Sequence, residues 1–359
     1  MTTVGVYYRE LVEGRRCGRF DRLFITLLQI LSVPYEWLLR LRARAYAAGV
    51  MPSHSLERPV ISVGNLTVGG TGKTPAVAML AKYFISRGKR VAVLSRGYGG
   101  SLRREAIVSD GESVFHSAAE AGDEPFLLAS TIPGLMAVIG PNRFRAGTLA
   151  MERLAPDIFI LDDGFQHLRL KRNLDILLLD SGRPFGNGRT LPAGLLREAP
   201  SAAERADIII YTRCTAGDEI NCFPEKLSCR AFHHLVGVTP LKGGDVRSFD
   251  TLKEFTGMAF AGIADPSPFF RDLEEEGLHL AATLSFPDHC SYGEKEVRQI
   301  LDAARKFGAD YLITTEKDGV KLGQYREVLG NVYTAGLEMW VADPGPLLNA
   351  LENLLEKPH

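Results

Sequence analysis

Cysteine is scarce in this chain of 359 residues, and the five present (Cys17, Cys214, Cys222, Cys229, Cys290) form no CxxC pair. An odd count at irregular spacing argues against a disulfide framework and for reduced thiols in the cytosol. Cys214, Cys222 and Cys229 cluster, but no histidine stands among them at ligand spacing, so a zinc site is not expected. Charge of one sign is also lacking: Lys and Arg number 42 against 43 Asp and Glu, a net of −1. That excludes the basic surface of a nucleic-acid binder, and no nucleic-acid partner is expected. No clean hydrophobic run is long enough to span a membrane, because Leu23 to Leu39 is broken by Gln29, Pro34 and Glu36. No small-residue cleavage site follows Arg9, Arg15, Arg16 and Arg19, so no signal peptide is expected. Internal repeats and low-complexity segments are missing as well. What remains, 45% hydrophobic and 24% charged, is ordinary for a folded protein, and the length calls for two domains.

The most informative stretch is Val60 to Lys82. A β-branched run (Val60, Ile61, Val63) enters a glycine-rich loop ending in Gly72, Lys73 and Thr74, and an amphipathic helix pattern (Val77, Leu80, Ala81, Phe84) follows. This strand–loop–helix order is what a phosphate-binding P-loop requires. Small residues let backbone N–H groups turn inward around a triphosphate, and the positive end of the helix points at the same anion. Lys73 would reach the β- and γ-phosphates and the Thr74 hydroxyl would hold Mg²⁺. The strict pattern has Gly where Thr67 stands; Gly69 and Gly70 supply the flexibility.

Residues 1–50 carry eight arginines and four acids. Arg22, Gln29, Glu36, Arg40 and Arg44 fall on one helical face, and the rest of the circumference is apolar, with Phe24, Tyr35 and Trp37 included. Two readings stand for this segment: an amphipathic helix lying in a membrane interface, or an ordinary N-terminal helix packed on the core.

From residue 59 to about 213, strand-like runs (Val60–Val63, Arg90–Leu94, Met136–Ile139, Asp157–Leu161, Asp175–Leu179, Asp207–Tyr211) alternate with helical ones. Their continuous apolarity predicts a mainly parallel sheet covered on both faces. Ligands in such folds sit at the carboxyl ends of the strands, which here are Gly64, Ser95, Gly140, Asp162 and Asp180. Residues 214–240 lose this rhythm and read as a connection. A second, smaller alternation follows without a P-loop of its own: strand Met258–Ile263, helix Pro268–Glu276, strand His279–Leu284, helix Lys295–Lys306 and strand Tyr311–Thr314, then a last strand at Val332–Trp340 and a last helix at Pro346–Glu356. The expectation is therefore α/β throughout, with two α/β/α sandwich domains: an N-terminal region (1–50), a P-loop domain (51–213), a linker (214–240) and a smaller α/β domain (241–359) with a possible return at 332–356.

Asp162 and Asp163 end an apolar strand, where P-loop enzymes keep the acid that holds Mg²⁺ or its water. A solvated turn after a strand gives the same pattern. Asp123 and Glu124 form a second acidic pair; they read either as the N-cap of a helix or as a general base and a metal ligand. Arg96, Arg143 and Arg197 follow strands or loops as phosphate contacts or as surface charges. Asp288, His289 and Tyr292 make a polar cluster in the second half.

In order along the chain stand G-N-L-T-V-G-G-T-G-K-T-P, S-R-G-Y-G, G-D-E-P, D-D-G-F-Q-H, L-P-A-G-L-L-R-E, F-P-D-H-C-S-Y and T-T-E-K-D. This ordered set, from about Pro34 to Asp318, resembles the tetraacyldisaccharide 4'-kinase family. The resemblance implies ATP-dependent phosphorylation of the 4'-hydroxyl of an acylated disaccharide 1-phosphate, a lipid A precursor, at the cytoplasmic face of the bacterial inner membrane. It favours membrane contact for the N-terminal helix and implies no obligate protein partner. ATP would lie on Thr67, Val68, Gly69, Gly70, Thr71, Gly72, Lys73 and Thr74, with Arg197 beside it. Mg²⁺ would be held by Thr74, Glu124 and Asp162. Asp123 would be the catalytic base, supported by His289 from the second domain, with Asp163 in the acidic wall. Arg96, Tyr98 and His167 would contact the substrate. Where the family has P-L-R-E this chain has L-L-R-E, a departure that leaves the charged pair untouched. A strand-like linker in the family matches 214–240 and Val332–Trp340. The rival readings are a P-loop ligase or kinase acting on a soluble molecule, of the dethiobiotin-synthetase type, and a nucleotide-dependent switch or scaffold without turnover.

Overall fold

Uninterrupted runs of Val, Ile and Leu make the central strands, because a strand covered by helices on both faces has no polar side. The computed structural model describes residues 3–215, 217 and 220–356, so the ends of the expected N- and C-terminal regions (1–2 and 357–359) and three positions of the expected linker (216, 218 and 219) lie outside the described residues. In chain order the strands are β1 (Val60–Asn65), β2 (Val91–Ser95), β3 (Ala106–Asp110), β4 (Met136–Ile139), β5 (Ile158–Asp162), β6 (Leu174–Asp180), β7 (Ile208–Thr212), β8 (Leu227–Pro240), β9 (Thr256–Ala261), β10 (His279–Ser285), β11 (Tyr311–Thr315) and β12 (Val332–Val341). They form one 12-stranded sheet in the order β10-β9-β11-β12-β8-β7-β6-β1-β5-β2-β4-β3. All neighbours are parallel except β3 with β4 and β12 with β8.

Two strands escaped the reading of the residues themselves, although the family resemblance matched a strand-like linker to 214–240. β3 is an edge strand with little apolar content (A-I-V-S-D). β8 lies in the stretch read as a connection, and it is 14 residues long. Its first residues pair with β7 (Ile208 opposite Leu227), while Ala231 to Pro240 pair with β12. One strand thus changes partner midway and joins the two halves into a single sheet. Its mixed sequence, L-S-C-R-A-F-H-H-L-V-G-V-T-P, alternates between buried and exposed positions and carries none of the continuous apolarity of the central strands.

Helix Lys73–Ser86 buries Ala76, Val77, Leu80, Ala81 and Phe84 against one face of the first half. Helix Arg143–Leu154 covers the opposite face with Ala146, Ala150 and Leu154. The last helix, Gly345–Glu356, returns to the first half, where Leu347, Leu351 and Leu354 join the core of the P-loop helix. The second half has its own cores around Leu273, Tyr311 and Ile313 and around Phe260, Tyr292 and Ile300.

The N-terminal segment forms helices Thr3–Val12 and Arg19–Ala47. The longer one, of 29 residues, buries only Leu28 and Ser32. Phe20, Leu23, Ile30, Val33 and Trp37 are each more than 60% exposed. Packing on the core therefore does not account for this helix. The short helix is docked: the Tyr8 hydroxyl donates to the carbonyls of Pro192 and Gly194, and Leu11 packs with Leu28 and Ala193. Arg42, near the far end of the long helix, donates to the Gln166 carbonyl. By length and composition the long helix suffices to cross a bilayer, but these ties hold it along the protein surface.

Candidate active site

Strand register gathers the site. Val63 lies opposite Asp162 and Leu94 opposite Leu161, so β1, β2 and β5 end together at one edge of the sheet. There the chain leaves β1 through a loop that wraps to Gly72, the N-cap of helix Lys73–Ser86, at φ 80°. Gly69, at φ 137°, is the other left-handed position in the loop. Thr67 adopts no left-handed backbone, which is why a β-branched residue stands there in place of glycine. Asn65 staples the loop from inside: its side-chain N–H donates to Thr71 Oγ1 (2.8 Å), and its Oδ1 accepts from Lys73 Nζ (3.3 Å). Outside, Val68 N–H donates to the Leu195 carbonyl and Arg197 N–H to the Leu66 carbonyl, both at 2.7 Å. Thr212 Oγ1 donates to the Thr71 carbonyl at 3.0 Å. Small residues fill the crowded floor: a Cβ on Gly72 would lie 2.6 Å from His233 Nε2, and one on Gly64 2.7 Å from Phe165 Cβ.

Beside this loop stand the paired aspartates. Asp162 ends β5 almost fully buried; its Oδ2 accepts from Ser95 Oγ at 3.1 Å, while Oδ1 has no partner. Burial and the neighbouring charges of Glu124 and Asp163 push Asp162 up to about 7, against the pull of Lys73. Asp163, in left-handed backbone at φ 51°, turns the other way. Both its oxygens accept from Arg197 Nη1 at 2.7 Å, and Lys73 Nζ lies 3.8 Å away. Burial raises Asp163, but Lys73 and Arg197 outweigh it and hold the carboxylate below its usual range. Arg143 lies under the pair, 5% exposed, bonded to the Gly140 carbonyl and with Nε unpartnered. Burial lowers its guanidinium to about 10 despite Asp162.

Asp123 is the first residue of helix Asp123–Thr131. Gly122 is the N-cap and no side chain caps the helix, so the capping reading of Asp123 is not what the structure shows. Instead Asp123 Oδ2 meets His289 Nδ1 from the second half at 3.3 Å, with Lys321 Nζ at 3.7 Å. Burial raises Asp123, while the His289 hydrogen bond and the Lys321 charge outweigh it and lower the carboxyl. Glu124 faces Lys317 Nζ at 3.5 Å and acts electrostatically on Asp162. Gly122 is required here: at φ 96°, a Cβ would lie 2.5 Å from the Tyr98 carbonyl, which is how the S-R-G-Y-G loop seats against the acid pair.

The structure therefore brings Lys73, Asp162, Asp163 and Arg197 into one cluster and Asp123, Glu124 and His289 into an adjoining one, linked through Glu124 and Asp162. Thr74 is the second residue of the P-loop helix and partly exposed. Arg197 is engaged with Asp163. Tyr98 is exposed, its ring edge-on to His289 at 5.6 Å. Arg96 is exposed after β2. His167 lies off the acid pair; burial and then Arg143, Arg172, Arg42 and Arg169 press it down to about 4, so it is neutral. Sequence reasoning gave no role to Asn65, Gln166, Lys317 or Lys321. Gln166 Nε2 donates to the Asn65 carbonyl at 2.9 Å and so ties the D-D-G-F-Q-H turn to the P-loop. Lys317 was visible only as part of T-T-E-K-D.

The residues fit a nucleotide with Mg²⁺. Asp162 Oδ1 is a buried acceptor without a donor, and the Gly72 turn leaves the first N–H groups of the helix free to face an anion. Among the described residues no group of three or more His, Cys, Asp or Glu side chains forms a metal cage. That suits Mg²⁺, which takes one or two carboxylates and completes its shell with water and phosphate.

Residues 24–356 match the family described as Tetraacyldisaccharide-1-P 4'-kinase. The chain is 60% identical over 336 residues to the tetraacyldisaccharide 4'-kinase of Geobacter metallireducens, covering 93% of this chain and 99% of that protein. It is 55% identical over 350 residues to the enzyme of the same name from Geobacter sulfurreducens, covering 97% and 99%. Among solved structures it is similar to the "apo" form of LpxK from Aquifex aeolicus in complex with ATP, with a TM-score of 0.78 and 34% identity over 92% of this chain and 99% of that one. The ordered motifs, the P-loop cleft and these likenesses agree: the chain belongs to the tetraacyldisaccharide 4'-kinase family.

Proposed function

We propose that this chain transfers the γ-phosphoryl group of ATP to the 4'-hydroxyl of a tetraacylated disaccharide 1-phosphate, yielding the bisphosphorylated lipid A precursor. The observation that carries this reading is that the P-loop lysine Lys73 and the helix-start acid Glu124 both act on the buried Asp162, while Asp123, next to Glu124, meets His289. Phosphoryl transfer needs alignment and neutralisation of charge more than covalent help. Lys73 and the N-terminus of its helix would hold the β- and γ-phosphates. Thr74, Glu124 and Asp162 would hold Mg²⁺, which supplies charge neutralisation when bound. Arg197, fixed by Asp163, borders the phosphate loop and would steady the same charge. Asp123 would accept the proton of the sugar hydroxyl late, as the O–P bond forms, with His289 orienting it. Arg96 and Tyr98, exposed at the rim, and His167 beneath it would contact the sugar or its phosphate.

The acyl chains call for a lipid surface. The exposed apolar arc of helix Arg19–Ala47, with Arg22, Arg40 and Arg44, supports peripheral contact with the cytoplasmic face of the inner membrane. Docking of Tyr8, Leu11 and Arg42 on the body supports resting on the membrane over spanning it.

The test is to incubate the purified protein with γ-labelled ATP, Mg²⁺ and tetraacylated diglucosamine 1-phosphate in mixed micelles. Label should enter the lipid and vanish with Lys73→Ala. Intact nucleotide binding without transfer would send the search to soluble acceptors.

A further inference from the structure

One pair of basic side chains in the cleft has no part in the reading above. Lys317 and Lys321 are one helical turn apart, just after β11 in the second half, and both reach across to the acid pair of the first half. Lys321 is largely committed to Asp318, 2.9 Å away, with Asp123 at 3.7 Å. Lys317 is different. Its Nζ lies 3.3 Å from His289 Nε2, 3.5 Å from Glu124 Oε1 and 3.8 Å from Asp288 Oδ1.

An ammonium group has only donors. A ring nitrogen that faces it must present a lone pair, so Nε2 carries no proton. Nδ1 of the same ring then holds the hydrogen, and it faces Asp123 Oδ2 at 3.3 Å. We propose that Lys317 is a positioning residue for the transfer reaction: it locks His289 in the Nδ1–H tautomer, so that the ring donates to Asp123 through a chain running Lys317 Nζ to His289 to Asp123. The left-handed backbone of His289 (φ 58°) and the edge contact of Tyr98 fix the ring plane on which the chain depends. Which nitrogen of a histidine holds its proton is set by the hydrogen bond at the other one. Lys317 and His289 both come from the second half, so the tautomer is set within it, and only the bond to Asp123 waits for the two halves to meet.

This inference rests on Asp123 facing the acceptor hydroxyl, and the two fail separately. An Asp123→Asn variant with full transfer removes the base assignment and leaves the tautomer untouched. The direct measurement is a two-bond ¹H–¹⁵N spectrum of the full-length protein labelled at histidine, with the His289 signals identified by their loss in His289→Gln. Wild type should show Nδ1–H and Lys317→Met should shift towards Nε2–H. In the lipid assay Lys317→Met should lower kcat roughly tenfold or more while KM for ATP moves less than about twofold, and Lys317→Gln, whose neutral amide still donates, should recover part of the loss. An Nε2–H signal for His289 in wild type overturns the proposal. So does a Lys317→Met enzyme with unchanged kcat, including one whose KM for ATP alone rises. Should Lys317→Met melt early, the wild-type spectrum still decides.

Discussion

The two halves of the sheet build their charge clusters in opposite ways. Around the P-loop, Lys73, Asn65 and Thr71 bind one another within nine residues of sequence, and the loop segments at Asp163 and Arg197 close on them from adjoining strands. Around Asp123, every partner comes from the far half: His289 is 166 residues away in sequence, and Lys317 is 193 from Glu124. The phosphate grip is assembled by the local fold of one half. The proposed acceptor side depends on β8, which pairs with both β7 and β12 and so joins the second half to the first. A site split in this way can bind nucleotide with one half and withhold chemistry until both are in place, which limits wasteful hydrolysis by water.

Substitutions on the two sides should separate binding from chemistry. Lys73→Ala should remove the grip itself, lowering kcat/KM by about a thousandfold and weakening ATP in a direct binding assay. Asp123→Asn should lower turnover by on the order of a hundredfold or more with ATP affinity retained. Equal loss of both would make the acid a structural element, and the contrast between the halves would dissolve. Gly72→Ala tests the seam. A methyl there meets His233 on β8 and Met339 on β12 while forcing alanine into left-handed backbone, so the protein should lose about 1–3 kcal/mol in denaturant unfolding. Wild-type stability would mean the seam is loose.

Asp162 offers a pH test of the metal side. Its carboxyl is raised to about 7 by burial and by Glu124 and Asp163, and in the proposed role of Mg²⁺ ligand it has to ionise. The Mg²⁺ concentration giving half-maximal rate should therefore fall as pH rises from about 6 to about 8, and the dependence should flatten in Asp162→Asn. The smallest effect on chemistry is expected at the proposed membrane face. Replacing Phe20, Leu23 and Trp37 by serine should cut co-sedimentation with anionic vesicles severalfold, since each exposed side chain contributes roughly 1.5–3 kcal/mol when buried. Stability should stay unchanged, because none of the three is buried in the protein.

The P-loop was legible because its strand, loop and helix are consecutive, and so was Asp162, because an apolar run that stops in aspartate is a local pattern. The central strands were legible for the same reason. β8 was legible only through the family resemblance, as a strand-like linker: its residues serve two partners, and no single periodicity describes a strand that is half in one sheet environment and half in another. Asn65 and Gln166 were not legible, since their bonds follow from how two turns stack.

Sequence by itself determined the phosphate loop, the parallel α/β core and the family, and the structure chose between the two readings of the N-terminal helix by leaving its apolar face exposed. Tertiary structure alone decided that Gly122 and not Asp123 caps its helix, that Arg197 is held by Asp163, and that Lys317, His289 and Asp123 form a chain. The reason is range. Propensity and periodicity act over a few residues, whereas a hydrogen bond across the cleft depends on the register of twelve strands.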